Sequence, residues 1–153
     1  MKLSSNINEV LDRETATFQQ LIDIDKVLRV VAFDTVALIS NRVQQEGKKS
    51  DGSKIKTKAK ETFGAYSKSW GNTRKRNGRQ TAHIDLTDSG DMMGDYLPVP
   101  TGENEYSVGF RGDVSSQKAE YNEIRFGDIF LPTEEEEEFI VESLTKKLDA
   151  ILK

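Results

Sequence analysis

The amino-acid sequence predicts an α+β protein, in which a small antiparallel sheet packs with a long helix of the N-terminal half and with a C-terminal helix. Two long segments carry apolar residues at the three- and four-residue spacing of one helical face. Between them, short segments alternate apolar with polar residues, which is the two-residue period of a half-buried strand. The 153 residues suffice for one domain with a core, so we predict a single domain over 1–153.

The first helix is predicted over residues 23–46, "DIDKVLRVVAFDTVALISNRVQQE". Its apolar stripe has helical spacing and consists of Leu28, Ala32, Val36, Ile39 and Val43. Asp23 and Asp25 would lie at the positive end of the helix dipole, and Gly47 is a natural stop. Further apolar residues flank the stripe, so we expect the helix to be covered on more than one side. Residues 1–21 are predicted to be an arm or a short helix.

A long basic loop is predicted over residues 48–79, because this segment has many turn formers and little periodicity. From Arg42 to Arg79 the chain has 12 Lys and Arg against 3 Asp and Glu, a balance of +9, whereas the remainder carries −13. Aromatic residues punctuate the basic run at Phe63, Tyr66 and Trp70. Basic and aromatic side chains together can bind single-stranded nucleic acid. Alternatively, the aromatic residues pin a solvated loop to the body.

The segment "QTAHIDL", residues 80–86, is predicted to be a half-buried strand. Its alternating apolar residues are Ala82, Ile84 and Leu86. His83, the only histidine in the chain, would share the exposed face with Asp85. A zinc site would need further His or Cys ligands, and the acidic residues here do not have the spacing of a calcium loop. Since no serine has the context of a nucleophile elbow either, we predict no metal site, no cofactor and no catalytic residue, and we interpret His83 as an exposed strand histidine.

The remaining elements follow from turns and caps. Residues 91–99 are predicted to be a helical turn and then a strand, and "EYSVGF" is a further strand, which with residues 80–86 gives a three-stranded meander. A short helix is expected over residues 115–124. Thr133 and Glu136 have the spacing of a capping box that starts the final helix. Because acidic residues favour a helix N-terminus, we interpret the glutamates at 134–138 as structural.

The composition is polar for a globular monomer, with 35% hydrophobic and 31% charged residues. It indicates a small core with polar excursions, or a fold completed in an assembly. The chain has no cysteine, which excludes disulfides and fits a reducing compartment. We expect no signal peptide, because the N-terminal stretch has no continuous apolar segment, and no span long enough for a bilayer.

Three phrases together resemble a known family. After the first helix come "DGS" and then "YS"; residues 84–92 follow the pattern hydrophobic-Asp-Leu-Thr-x-x-Gly-x-Met; residues 129–136 read Ile-Phe-Leu-Pro-Thr-x-x-Glu. In this order and spacing they are similar to small tailed-bacteriophage neck proteins, namely virion morphogenesis, tail completion and head–tail connector proteins. The resemblance covers roughly residues 24–153, and residues 54–79 match less well.

The resemblance implies a structural protein of the head–tail junction that acts in tail completion or head–tail joining as an oligomeric ring, with no enzyme activity. Its partners would be further copies of itself, other connector or tail-tube proteins and, transiently, DNA phosphates. It would be located in the neck or tail of the virion, after assembly in the host cytoplasm.

Under this interpretation the basic loop faces either DNA or a neighbouring subunit, through Lys54, Lys56, Lys58, Lys60, Arg74, Lys75, Arg76 and Arg79. The +9 loop and the −13 remainder complement each other, which favours the neighbouring subunit. Two alternatives remain: a nucleic-acid-binding module that uses residues 48–79, and an enzyme that uses His83 and Asp85.

Overall fold

The computed structural model describes the backbone of residues 3–151 and the side chains of residues 11–21 and 23–151. In this part of the chain, helices pack with two small antiparallel sheets, which confirms the predicted α+β class. The elements follow in the order α1 (Leu3–Asn41), β1 (Thr62–Phe63), β2 (Tyr66–Ser67), α2 (Lys68–Arg76), α3 (Asp91–Gly94), β3 (Tyr96–Gly102), β4 (Glu105–Phe110), α4 (Asp113–Phe126) and α5 (Glu134–Ile151).

Helix α1 is longer than predicted, because it begins at Leu3 and not near residue 23. The predicted arm has no proline or glycine between residues 3 and 21, so nothing in the sequence interrupts the helix; Met1 and Lys2 lie outside the described residues. Asp23 and Asp25 are therefore interior helical residues, and their assignment to the positive end of the dipole was wrong.

The C-terminal end of α1 was predicted well. A π-helical turn, Arg42–Glu46, continues α1, and Gly47 ends it in the left-handed conformation with φ of 62°. The predicted apolar stripe faces inward, since Ala32, Ile39 and Val43 are buried. Val30 and Phe33 on the flanks are exposed.

The sheets are smaller than predicted. Strands β3 and β4 form an antiparallel hairpin in which Tyr96 pairs with Phe110, and β1 and β2 form a separate two-residue hairpin. Residues 80–86 form no strand, so the predicted three-stranded meander is wrong. The long basic loop is wrong in part, because residues 62–76 contain β1, β2 and α2.

The core lies where α1 meets the hairpin β3–β4 and the segment before α5. Val43 and Ile129 are fully buried there. Tyr96, Phe110 and Phe130 form an aromatic cluster with ring centroids 4.8–5.6 Å apart. Aromatic contacts of this kind add to the stabilisation from area alone, so this cluster fixes the hairpin against the segment that precedes α5.

The start of α5 is held by polar contacts. Thr133 and Glu136 form the predicted capping box: the Thr133 N–H donates to the Glu136 carboxylate at 2.8 Å, and the Glu136 N–H donates to Thr133 Oγ1 at 3.2 Å. The same carboxylate accepts from the Arg42 Nε at 2.9 Å. Arg42 is buried and also donates to the carbonyl oxygens of Ile129 and Leu131. One glutamate of the acidic run thus joins α5 to the end of α1.

Candidate functional site

The basic residues that the sequence singles out fall into two structural groups. The first is a row of exposed lysines on an extended segment, residues 54–60, which starts with a bridge between Lys54 and Lys48. Ile55 is buried, and Thr57 and Ala59 are half-buried, so the residues between the lysines turn inward. We call the exposed side chains the lysine row: Lys54, Lys56, Lys58 and Lys60.

The second group lies on and after α2 and is not one surface. Lys75 and Arg76 are exposed, and the Lys75 ammonium lies 5.5 Å from the centroid of the Phe63 ring. Arg79 is paired with Asp88 at 2.6 Å. Arg74 is buried, with 2% of its surface exposed, so it is not available to DNA or to a neighbouring subunit. For Arg74 the expected partner-facing role is therefore wrong.

Arg74 is buried because the loop after α2 satisfies its guanidinium. One nitrogen donates to the Asp85 carboxylate at 2.6 Å, and the others donate to the carbonyl oxygens of Gln80 and Thr87 at 3.0 and 2.6 Å. Its guanidinium carbon also lies 4.5 Å from the centroid of the Tyr66 ring. A fork of five N–H groups suits such a set of acceptors, whereas the ammonium of a lysine does not. These contacts tie residues 80–87 to α2.

Asp85 is the acidic centre of a group of hydrogen-bonded residues around Arg74, which we call the Arg74–Asp85 cluster. Its carboxylate accepts hydrogen bonds from Gln80 at 2.6 Å, from Tyr66 at 2.9 Å and from the Thr87 N–H at 3.0 Å. Burial alone would raise the pKa of Asp85, but these hydrogen bonds and the charge of Arg74 hold it below its ordinary value. Burial raises the pKa of Tyr66 to about 12, so its hydroxyl stays protonated and donates to Asp85.

The cluster explains why residues 80–86 are not a strand. The period of two predicts Asp85 on the exposed face, but its ion pair draws it inward, and it is buried next to Ile84. Ala82 is exposed, although the alternation places it inward. Leu86 has a positive φ of 50°, which bends the chain away from an extended path.

His83 has a structural contact in the described part of the chain. It is half-buried in a loop, so the expected exposed strand position is wrong. Its ring Nε2 lies 2.8 Å from the Gln44 carbonyl oxygen, to which only a protonated nitrogen can donate. Among the described residues, no group of three or more His, Cys, Asp or Glu side chains could hold a metal ion.

An open groove of about 730 Å³ lies between α2 and α4, which we call the α2–α4 groove. Ile84 and Met92 are buried at its floor. Its sides carry exposed aromatic and aliphatic residues and basic residues of α4: Trp70, Val114, Tyr121, Lys118 and Arg125. The Arg74–Asp85 cluster forms part of its wall, so the buried ion pair shapes this groove.

Sequence patterns do not indicate this groove. Trp70 stands out as an aromatic residue in the basic run, but its counterpart, Tyr121, is on α4, about fifty positions later. Stacking of the aromatic residues on bases stays a prediction. Tyr66 is buried and Trp70 is exposed, so pinning to the body describes Tyr66 better than Trp70.

A second exposed surface lies on α5. Helix α5 packs against α1, and its outward side presents Val141, which is 62% exposed. Exposed glutamates share this side at helical spacing: Glu134, Glu137, Glu138 and Glu142. We call these five residues the α5 outer face.

No family model, no curated protein and no solved structure matches the chain. Within residues 3–151, no helix has the length and apolar character that crossing a membrane requires.

Proposed function

We propose that this protein is a structural component of the head–tail junction of a tailed bacteriophage, acting in tail completion or head–tail joining as a ring of identical subunits. It resides in the neck or tail of the virion and is assembled in the host cytoplasm. Its partners are further copies of itself and other connector or tail-tube proteins. It acts by shape and surface, without catalysis, and its bore lets DNA pass.

The observation that carries this proposal is the amount of apolar surface on the helices. Twelve large hydrophobic side chains are exposed among the described residues, most of them on α1, α4 and α5. They are Leu11, Phe18, Leu21, Val30, Phe33, Trp70, Val114, Tyr121, Ile124, Leu131, Phe139 and Val141. Apolar surface of this extent on several elements is typical of a subunit that is covered by neighbours.

The length of α1 also supports an assembly role. Its 39 residues span roughly 58 Å at 1.5 Å per residue. Every residue from 11 to 21 is exposed, including Leu11 and Phe18, so these residues of α1 lie outside the core. Isolated helices gain little stability by themselves, and most helical stability comes from packing of an apolar face. A neighbouring subunit would supply that packing.

The three phrases that resemble phage neck proteins give the proposal its particular content. Two of them lie at structurally important places. Residues 84–92 contain Asp85 of the buried cluster, and residues 129–136 contain Ile129 of the core and the capping box of α5. The phrases therefore coincide with residues that determine the fold.

The test is the solution mass of the purified protein as a function of concentration, by light scattering behind a sizing column, with negative-stain electron microscopy of the largest species. We expect closed rings whose central bore is wide enough for a whole B-DNA duplex to pass through. A protein that stays monomeric or forms open aggregates, with and without purified connector, would contradict the proposal.

A nucleic-acid-binding module is the second candidate, and the lysine row favours it. The four lysines are exposed on one extended segment, and in the described residues no carboxylate lies within 4 Å of any of them. Regularly spaced cations on an open surface suit the phosphates of a single strand.

Salt dependence separates the second candidate from the first. The binding constant for single-stranded DNA is measured at several salt concentrations, and its logarithm falls linearly with the logarithm of the salt concentration. If the lysine row holds four phosphates, replacing all four lysines with Gln should make this slope less negative by about 3. Replacing Lys146 and Lys147 of α5 with Gln is the control, because Lys146 pairs with Glu142 and Lys147 with Asp34. Arg74 is left intact because it is buried. An unchanged slope would exclude this candidate.

A further inference from the structure

The α2–α4 groove and the α5 outer face are both uncovered in the described structure, and their chemistry is complementary. We propose that the α2–α4 groove of one copy receives the α5 outer face of a second copy. This inference rests on the ring proposed above, and it identifies the two surfaces that meet between neighbouring subunits.

The groove has an apolar interior that a partner can cover. Tyr121 and Val114 on α4 are 63% and 64% exposed, and Trp70 faces them from α2 at 37%. Their opposing positions leave a trough with a buried floor at Met92. Exposed aromatic residues around a trough favour a partner that inserts apolar side chains of its own.

The charge at the groove is positive once internal pairs are removed. Asp88 on one wall is paired with Arg79 at 2.6 Å, and Asp85 is paired with Arg74. Lys118 is left, together with Arg125, whose guanidinium carbon lies 5.1 Å from the centroid of the Phe126 ring. The occupant should therefore be acidic as well as apolar.

The α5 outer face has both properties. Val141 is 62% exposed, and Glu137, Glu138 and Glu142 lie around it. The capping box accounts for Glu136 alone, and the lengthwise packing of α5 uses the side that faces α1. Glu142 pairs with Lys146 at 2.6 Å. Glu134, Glu137 and Glu138 are exposed and serve none of these contacts, so they can meet a partner.

A second copy is the occupant that the geometry favours. Helix α5 contributes no residue to the groove of its own chain, so the two surfaces meet only between copies. Contact between two different surfaces of identical subunits is heterologous, and such contacts close into a ring when the rotation from one copy to the next allows it. Nucleic acid could stack on Trp70 and Tyr121, but it would leave Val141 uncovered, whereas the contact between copies covers all three side chains.

Charge reversal with restoration tests the contact. Lys118→Glu with Arg125→Glu puts acids in the groove, and Glu137→Lys with Glu138→Lys puts bases on the helix. We expect each reversed chain to need at least about tenfold more protein for half-maximal association in sedimentation velocity, because like charges then meet. The chain with all four changes should associate within about threefold of the wild type, since the charges are complementary again.

The control chain carries Arg111→Glu and Glu120→Lys, two exposed residues that do not line the groove, and it should associate as the wild type does. Circular dichroism melting checks the fold of every variant. A chain with all four changes that associates no better than either reversed chain would overturn the inference. So would a wild-type chain that stays monomeric up to about 1 mM.

Disulfide trapping gives a second measurement that does not depend on reversed charges. The chain has no cysteine, so Tyr121→Cys with Val141→Cys introduces the only two thiols. Under mild oxidation we expect covalent species larger than dimers from this double variant, and at most dimers from either single variant. A double variant that yields nothing larger than a dimer would contradict a groove-to-α5 contact.

The outcomes separate this contact from the ring itself. Wild-type rings whose association does not respond to the reversals would refute the contact and leave the ring standing. Open chains that respond to reversal and restoration would support the contact and refute the ring. Loss of DNA binding in Trp70→Ala with Tyr121→Ala, with association unchanged, would overturn the contact in favour of nucleic acid.

Discussion

Among single residues, Arg74 joins the loop after α2 to the rest of the protein. Its guanidinium is buried, pairs with Asp85 at 2.6 Å and donates to two carbonyl oxygens. Removing one member of a buried ion pair leaves the other charge uncompensated, which costs about 3–5 kcal/mol. We expect Arg74→Met to lower the free energy of unfolding by that amount in urea titrations.

Arg76→Met is the matched control for that prediction. Arg76 is exposed at the end of the same helix, and loss of an exposed charge changes stability by about 0.5 kcal/mol or less. Equal changes in the free energy of unfolding for the two substitutions would show that the buried contacts of Arg74 do not stabilise the fold.

Asp85 makes the stability of this cluster dependent on pH. Burial opposes its ionisation, but the hydrogen bonds from Gln80, Thr87 and Tyr66 and the charge of Arg74 hold its pKa below the ordinary value of 3.8. A carboxyl group whose pKa is lower in the folded state stabilises the fold above the unfolded pKa. This stabilisation is lost as pH falls through the folded pKa.

The free energy of unfolding of the wild type should therefore fall below about pH 4, and its advantage over Asp85→Asn should shrink as the carboxylate is protonated. Urea titrations of both proteins between about pH 7 and pH 2.5 measure that difference. The pKa of Asp51 is lowered to about 2, chiefly by a hydrogen bond from Ser53. Asp51 is present in both proteins, so its titration does not affect the difference between their free energies of unfolding. An advantage that stays constant over this range would exclude a role for Asp85 ionisation.

At the scale of elements, Gly47 lets the loop after α2 cross the end of α1. Its φ is +62°, and a Cβ there would lie 2.7 Å from His83 Cβ and 3.0 Å from the Ile84 carbonyl oxygen. Gly47→Ala thus has two costs, the left-handed backbone and the clash with the crossing loop.

Gly52→Ala separates those two costs. Gly52 has φ of +77°, but a Cβ at this position would meet nothing within 4 Å, so only the backbone cost of about 1–2 kcal/mol applies. We expect Gly47→Ala to lower the melting temperature clearly more than Gly52→Ala, by several degrees. Equal shifts of the melting temperature in calorimetry would show that residues 83 and 84 move aside for the added Cβ at little cost.

Elements with local signals could be predicted from the sequence. The start of α5 depends on Thr133 and Glu136, three positions apart, and the end of α1 depends on one glycine, Gly47. Both signals act within a single turn of helix, where the physics of capping applies directly. The hairpin β3–β4 follows similarly from alternation around a short turn.

Elements that depend on distant partners could not be predicted. Alternation placed Asp85 outward, but its partner, Arg74, is in a run of bases that is typical of a solvated loop. The start of α1 was missed because residues 3–21 lack a clear apolar stripe, although no proline or glycine interrupts them. The two walls of the α2–α4 groove come together only in the folded chain, so the candidate site beyond the lysine row needed the structure.

At the scale of the whole molecule, residues 11–21 of α1 are set apart from the packed body. Every side chain from 11 to 21 is exposed, with Leu11 at 57% and Phe18 at 64%. Farther along the same helix, Ile39 is 1% exposed and lies in the core. Residues 11–21 therefore contribute little buried area to the folded monomer.

Replacing Leu11 and Phe18 with Gln should consequently leave the free energy of unfolding of the monomer within about 0.5 kcal/mol of the wild type, because both side chains are exposed. Ile39→Ala should cost about 2–5 kcal/mol, since it leaves a cavity in the core. Urea titration at a protein concentration below the association midpoint measures the free energy of unfolding of both variants. A loss above about 2 kcal/mol for the Leu11 and Phe18 variant would mean that this part of α1 packs against the body. If the proposed ring uses this apolar surface, the same variant should also form rings only at higher protein concentration, which light scattering detects independently of stability.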